Sequence, residues 1–215
     1  MRQSFIAQLE ELNQHVIKMG SLLEQSTNEM IKALESLDVE KSERIIARDD
    51  DIDLLEQHIE RECINILAKQ QPLAGDLRKI TSIMKIITDI ERIADQCADI
   101  SEYIIKLNRM PKIKTPLYLY EMIDSMKQMV MDTIDSFVEA DLLKASGVIS
   151  ADDAVDGYFE RITQELSKTM QSDPAMVPQC ICYLMIIKYL ERMADHATNI
   201  AEWITFIITG DLALG

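Results

Sequence analysis

The sequence has 215 residues, a hydrophobic fraction of 47% and an aromatic fraction of only 5%, which excludes a disordered chain and disfavours a β-sandwich or barrel. Its 37 acidic residues outnumber 22 basic ones, for a formal charge of −15, and this charge repels nucleic acids and anionic membrane surfaces. No apolar run approaches the roughly 20 residues of a membrane span, and no secretion signal follows Met1. The composition therefore predicts a soluble, cytoplasmic, all-α protein that binds no nucleic acid.

The first half of the chain is predicted to form three helices, because apolar residues recur at every third or fourth position between helix-breaking residues. The first helix is predicted over residues 4–37, with Gly20 as a weak point within it. Asp38 suits the N-cap of the second helix, which is expected to end before Gln71. The third helix is predicted from Gly75 to about Leu107.

Three further helices are predicted in the second half. Residues 111–116 have the composition of a linker, and Thr115 with Pro116 is predicted to begin the fourth helix because proline suits the first helical position. Asp141 is the predicted N-cap of the fifth helix. The sixth helix is predicted over residues 175–208, with Gly210 as its C-terminal cap.

The two halves repeat each other. A shift of 103 residues places Asp49 on Asp152 and Asp53 on Asp156, and a shift of 100 then places E-R-I-A-D at residues 91–95 on E-R-M-A-D at residues 191–195. The first shift holds across two helices, and the second holds after a loop that is shorter in the second half. Such a regular alignment indicates that one supersecondary unit occurs twice. The prediction is therefore an elongated six-helix protein with two three-helix bundles, residues 1–110 and 116–210.

Pairs of acidic residues at i, i+4 spacing recur on the second and third helices of each half. Like charges at this spacing repel each other, and clusters of carboxylate oxygens suit hard or borderline divalent and trivalent cations. From one half alone, solvated acidic rows partly neutralised by arginine are the simpler interpretation. Because all four positions recur, metal binding is favoured. The predicted ligands are Asp49, Asp53, Glu91 and Asp95 in the first half and Asp152, Asp156, Glu191 and Asp195 in the second.

The sequence contains no recognisable catalytic motif. The six glycines form no phosphate-binding loop, and the residue three positions before each of His15, His58 and His196 is not the glutamate of di-iron bundle enzymes. The three histidines are instead predicted to be surface or boundary residues. We therefore expect a protein that is not an enzyme.

The repeated E-R-I/M-A-D signature is accompanied by Met19-Gly20, by A-K-Q-Q-P at residues 68–72 and by D-L-R at residues 76–78. Together these strings resemble the PhoU family over nearly the whole chain. The resemblance implies two three-helix PhoU repeats, usually in a homodimer. It also implies a cytosolic negative regulator of phosphate uptake and of phosphate-starvation signalling.

The resemblance further implies partners and cofactors. The partners are the phosphate-sensing histidine kinase and the ATPase subunit of the phosphate ABC transporter, and only through them would the protein be peripheral to the membrane. Some family members bind metal clusters, commonly iron, at E/D-x-x-x-D motifs that correspond here to residues 91–95 and 191–195. Ala94 and Ala194 stand where family members often have glycine, so the identity of the metal does not transfer.

Two other functions agree with the same residues. The carboxylate clusters could serve a metal-dependent hydrolase, which a phosphatase screen with and without metal would detect. The helices could instead form a scaffold or adaptor without any metal, which metal analysis of the purified protein would distinguish from the other two.

Overall fold

The computed structural model describes residues 2–70 and 72–211, and these residues form six α-helices, one short 3₁₀ helix and no strand. The predicted all-α class and the number of helices are therefore confirmed. Met1 and Gln71, at predicted boundaries of the first repeat and the second helix, lie outside the described residues. The α-helices are α1 (Arg2–Ser36), α2 (Val39–Gln70), α3 (Ala74–Asn108), α4 (Leu119–Glu139), α5 (Leu142–Ser172) and α6 (Val177–Thr209), and the 3₁₀ helix is Pro174–Met176.

Aspartates begin α2 and α5 as predicted. The Asp38 carboxylate accepts a hydrogen bond from the backbone N–H of Lys41 at 2.9 Å. The Asp141 carboxylate accepts from the N–H groups of Leu143 at 2.8 Å and Lys144 at 3.2 Å. The first N–H groups of a helix have no partner within the helix, so these bonds stabilise both starting points. Gly210 ends α6 with φ 85°, a left-handed conformation that glycine adopts without steric cost.

The predicted start of the fourth helix at Thr115-Pro116 is wrong. Pro116 instead opens a turn, and α4 begins three residues later, after Tyr118 in a left-handed conformation with φ 67°. The backbone N–H of Leu117 donates to the carboxylate of Glu165 on α5 at 2.9 Å. This contact with another helix holds the segment outside α4. The predicted sixth helix also differs at its start, which is a 3₁₀ turn.

The two halves share one apolar core. Helices α3 and α6 pack against each other, and each also packs against the other two helices of its own half. Both central helices bury isoleucines, among them Ile83 and Ile93 on α3 and Ile186 and Ile200 on α6. Burying one such side chain contributes roughly 1.5–3 kcal/mol. Because the core is continuous, the division into residues 1–110 and 116–210 stays a prediction.

Helices α1 and α4 also contact each other, and Gly20 lies at this contact. A Cβ atom on Gly20 would lie 3.0 Å from Cγ2 of Ile134, which is closer than ordinary carbon contacts. Glycine therefore permits a close approach between the two helices. The prediction that Gly20 weakens the first helix is wrong, since α1 continues through it without interruption.

None of the described helices is both long enough and apolar enough to cross a membrane.

Candidate metal centres

The first acidic cluster lies between α2 and α3. One carboxylate oxygen from each of Asp49, Asp53 and Asp95 lies within 4.8 Å of the other two, and all three residues are half-buried. Cations held by carboxylates have bonds of about 2.0–2.6 Å, so their ligand oxygens lie roughly 3–4 Å apart. Small rotations of the three side chains would bring these oxygens around one ion.

Glu91, the fourth predicted residue, lies beside this group without joining its three oxygens. The Oε2 atom of Glu91 lies 3.4 Å from Nε of Arg92, and Nη1 of Arg92 donates to Asp95 at 3.0 Å. Arg92 therefore neutralises part of the charge. Oε2 of Glu91 and Oδ1 of Asp53 are nevertheless buried and accept no hydrogen bond within the described residues. A buried carboxylate oxygen without a donor destabilises the fold, and a cation would relieve that cost.

Burial and mutual repulsion raise the pKa values of these acids. Loss of water, followed by the charges of Asp95 and Asp53, raises the pKa of Asp49 to about 6. Burial, followed by the charge of Asp95, raises the pKa of Glu91 to about 7. The pKa of Asp53 is raised by the same two causes in the same order. Near neutral pH the cluster therefore favours a bound proton or a bound cation over a set of bare charges.

The second cluster contains the equivalent four acids of the second half, and it is more exposed to solvent. Burial, followed by the charges of Asp195 and Asp156, raises the pKa of Asp152 to about 6. Burial, followed by Asp195, also raises the pKa of Glu191. Oδ1 of Asp152 is buried and accepts no hydrogen bond from the described residues. Asp156 and Asp195 are exposed, however, and within the described ranges three acid oxygens come within 4.8 Å of one another only in the first cluster.

The sequence predictions missed two further acids on α3 that make contacts of their own. Asp99 is among the charges that raise the pKa of Asp49, and its spacing of four residues from Asp95 signals a shared face. Its counterpart Asn199 carries no charge, so the repeat does not select it. Asp89 lies 2.8 Å from Nδ1 of His196 on α6, which joins the two halves across their interface.

A different group of potential ligands was also missed. His15 on α1 and the pair His58 and Glu62 on α2 offer one ligand atom each, and these atoms lie within 4.8 Å of one another. The i, i+4 spacing of the pair on α2 is visible in the sequence. The third residue comes from another helix, and only the fold brings it to this pair.

Comparison with known proteins tests the resemblance seen in the sequence. The family model of the PhoU domain matches residues 16–104 and again residues 119–204. The chain belongs to the PhoU family. The two PhoU matches begin 103 residues apart and end 100 residues apart, which are the two shifts that align the acidic clusters of the halves.

Similar PhoU proteins span the same length. The chain is 39% identical over 210 residues to a protein from Clostridium acetobutylicum, across 97% of this chain and 96% of that protein. It is 38% identical over 185 residues to a protein from Aquifex aeolicus, across 86% of this chain and 84% of that protein. Both are named phosphate-specific transport system accessory protein PhoU homolog. The crystal structure of PhoU from Pseudomonas aeruginosa has a TM-score of 0.94 and 32% identity, across 96% of this chain and 100% of that chain.

Proposed function

We propose that this protein is an accessory regulator of a phosphate-specific transport system and restrains phosphate uptake and phosphate-starvation signalling when phosphate is plentiful. One observation carries the proposal, which is similarity along nearly the whole chain to relatives named as accessory proteins of that system. A structure of the phosphate transport system regulatory protein PhoU from Streptococcus pneumoniae, 31% identical with a TM-score of 0.88, supports a regulatory role. The proposed action is binding, without catalysis.

The proposed partners are the phosphate-sensing histidine kinase and the ATPase subunit of the phosphate transporter, contacted by a homodimer in the cytoplasm. A formal charge of −15 disfavours direct binding of free phosphate, because like charges repel. Regulation through protein contacts avoids this difficulty. Helices of 31 to 35 residues extend for roughly 50 Å at 1.5 Å per residue, and long amphipathic helices commonly supply docking faces.

The proposed role of the two acidic clusters is to hold divalent or trivalent cations, with iron among the candidates. Two features support this role in the first cluster, namely the three close carboxylates and the buried oxygens without donors. The more exposed second cluster is expected to bind its cation more weakly. Bound cations would stabilise the packing of α2 on α3 and of α5 on α6, and would change the charge of the docking surface.

Genetics in the host tests the regulatory proposal. Deletion of the gene is expected to leave phosphate-starvation genes active in phosphate-rich medium, and a plasmid copy is expected to restore repression. The tagged protein is expected to co-purify with the kinase or the transporter ATPase. Normal repression in the deletion strain, together with co-purification of neither partner, would refute the proposal and favour the scaffold.

Metal analysis of the purified protein tests the clusters separately. The double variant Asp53→Asn, Asp95→Asn is expected to lose the metal of the first cluster, whereas Asp51→Asn, at an exposed position of α2, is expected to retain it. Glu91→Ala with Asp95→Ala is expected to weaken repression if the cation shapes the docking surface. Metal-dependent phosphatase activity that the double variant abolishes would instead support the hydrolase.

A further inference from the structure

Two histidines and one glutamate meet on the surface formed by α1 and α2, away from the acidic residues considered above. Nδ1 of His15 lies 2.7 Å from Oε2 of Glu62, and Nε2 of His58 lies 3.4 Å from Oε1 of the same carboxylate. The two imidazole rings face each other edge to face, with centroids 5.1 Å apart. Each carboxylate oxygen of Glu62 is therefore close to one imidazole nitrogen, and the two imidazoles come from α1 and from α2.

The positions of these side chains are set by their buried neighbours. His58 and Glu62 lie one helical turn apart on α2, and the adjacent Cys63 is fully buried. Val16, which follows His15 on α1, is 2% exposed. The exposed fractions of the three side chains are 27% for His15, 22% for Glu62 and 53% for His58. The group is therefore anchored at its base and open to water at its outer side.

The second half shows what occupies the equivalent place there. The shift of 103 residues places His15 on Tyr118, His58 on Arg161 and Glu62 on Glu165. The guanidinium carbon of Arg161 lies 5.6 Å from the ring centroid of Tyr118. Arginine keeps its positive charge at every physiological pH, so the second half has a permanent cation built into this place. The first half retains the glutamate but faces it with two titratable imidazoles.

We propose that His15, His58 and Glu62 bind a divalent cation of the zinc class, such as Zn²⁺, Co²⁺ or Ni²⁺. Imidazole nitrogens with one carboxylate are a common ligand set for these ions, whereas clusters of oxygen alone favour Mg²⁺, Ca²⁺ or Mn²⁺. The site therefore differs from the acidic clusters in chemical class. Three protein ligands leave at least one coordination position for water, which agrees with the open outer side.

One ligand atom of each of the three residues lies within 4.8 Å of the other two, so side-chain movements on the order of an ångström would bring them around one ion. Zinc bonds of about 2.0–2.1 Å separate two tetrahedral ligand atoms by roughly 3.3 Å. The separation of 3.4 Å between Nε2 of His58 and Oε1 of Glu62 already fits this value. Nδ1 of His15 lies 2.7 Å from the other carboxylate oxygen, Oε2, and would move away from it by at least about 0.6 Å to admit the ion. A bound ion would join α1 to α2 through side chains that otherwise share a hydrogen bond.

Nuclear magnetic resonance of the histidine side chains tests the site directly in the full-length protein. The chain has three histidines, so His196, which lies on α6 beside Asp89 and next to Asp195 of the second acidic cluster, serves as an internal control once Mg²⁺ occupies that cluster. After treatment with EDTA and its removal, ZnCl₂ is added in steps in the presence of excess MgCl₂, in this experiment and in the calorimetry that follows, so that Mg²⁺ occupies the all-oxygen acidic clusters. The ring nitrogens of His15 and His58 are expected to shift together and to reach saturation at one equivalent, whereas those of His196 stay unchanged.

Calorimetry on matched variants provides the second readout. Glu62→Gln and His58→Gln are each expected to weaken the Zn²⁺ affinity by at least about tenfold. Glu165→Gln, the same change at the equivalent position of the second half, is expected to leave that affinity within about twofold, since it lies outside the ligand set. Far-UV circular dichroism confirms that each variant is folded. Zinc binding that leaves the signals of His15 and His58 in place, or that persists unchanged in both ligand variants, would overturn the proposal.

Discussion

Replacement of Asp49 by asparagine tests the electrostatics of the first acidic cluster. Burial and four neighbouring acids hold the pKa of Asp49 at about 6, compared with 3.8 for the free side chain. A carboxylate with a raised folded pKa stabilises the fold below its unfolded pKa, and this contribution is lost as the pH rises through the folded pKa. The metal-free wild-type protein is therefore expected to lose stability between pH 4 and pH 7, and Asp49→Asn lacks the part of this loss that Asp49 contributes.

The size of the effect follows from the shift in pKa. One pKa unit corresponds to about 1.4 kcal/mol, so a rise from 3.8 to about 6 sets an upper limit of about 3 kcal/mol. Partial exposure and screening by salt reduce this to about 1 kcal/mol. Metal-free Asp49→Asn is therefore expected to be more stable than wild type by about 1 kcal/mol at pH 7.5 and equal to it at pH 4.

A bound cation is expected to reverse the order of stability of wild type and Asp49→Asn. Mn²⁺ prefers carboxylate ligands, and binding to the folded state alone raises its stability. At pH 7.5, excess Mn²⁺ is expected to stabilise wild type more than Asp49→Asn. Urea unfolding followed by far-UV circular dichroism, in EDTA and in Mn²⁺, measures both effects, and the exposed substitution Asp51→Asn is the matched control. Destabilisation of metal-free Asp49→Asn at pH 7.5, or an equal gain at pH 4 and pH 7.5, would refute the reasoning.

Urea unfolding also checks three predictions about packing, capping and the contact between the halves. Gly147→Ala is expected to stabilise by about 1 kcal/mol because its Cβ meets nothing within 4 Å. Gly20→Ala is expected to destabilise by about 1 kcal/mol through overpacking against α4, and equal gains at both sites would contradict this. Asp141→Ala is expected to cost about 1 kcal/mol while Asp141→Ser retains the cap, so equal losses would argue against capping. His196→Ala is expected to cost about 1–2 kcal/mol by leaving the half-buried Asp89 without its partner, and an unchanged midpoint would show that this contact contributes nothing.

Local signals predicted most of the fold. The six helices follow from apolar spacing, and Asp141 marks the start of α5 because its carboxylate bonds to N–H groups only two and three residues ahead. The predicted start of α4 is wrong because the true start depends on a distant residue. The backbone N–H of Leu117 donates to Glu165, which lies 48 positions further along the chain. Proline spacing contains no information about such a partner. The continuous core between α3 and α6 likewise depends on how two complete helices pack.

The repeat explains which parts of the acidic clusters could be predicted from sequence. Aligning the halves selects acids that both copies retain, and this criterion identified Asp53 and Asp156 as equivalent positions. It contains no information about burial, and the structure leaves Asp53 half-buried and Asp156 exposed. Carboxylates repel each other more strongly where water is excluded. Equivalent residues therefore do not imply equal affinity for a cation.

The same criterion also rejects every feature that occurs in only one half. Asp99 acts on the first cluster, yet its counterpart is Asn199. His58 faces Glu62, yet its counterpart is Arg161, whose charge does not depend on pH. After a duplication, packing constrains both copies in the same way, because each must bury an apolar stripe of the same period. Charged surface positions are free of that constraint. Differences between the halves at such positions therefore do not exclude a role in one copy, and the site proposed for His15, His58 and Glu62 rests on the contacts of the first half alone.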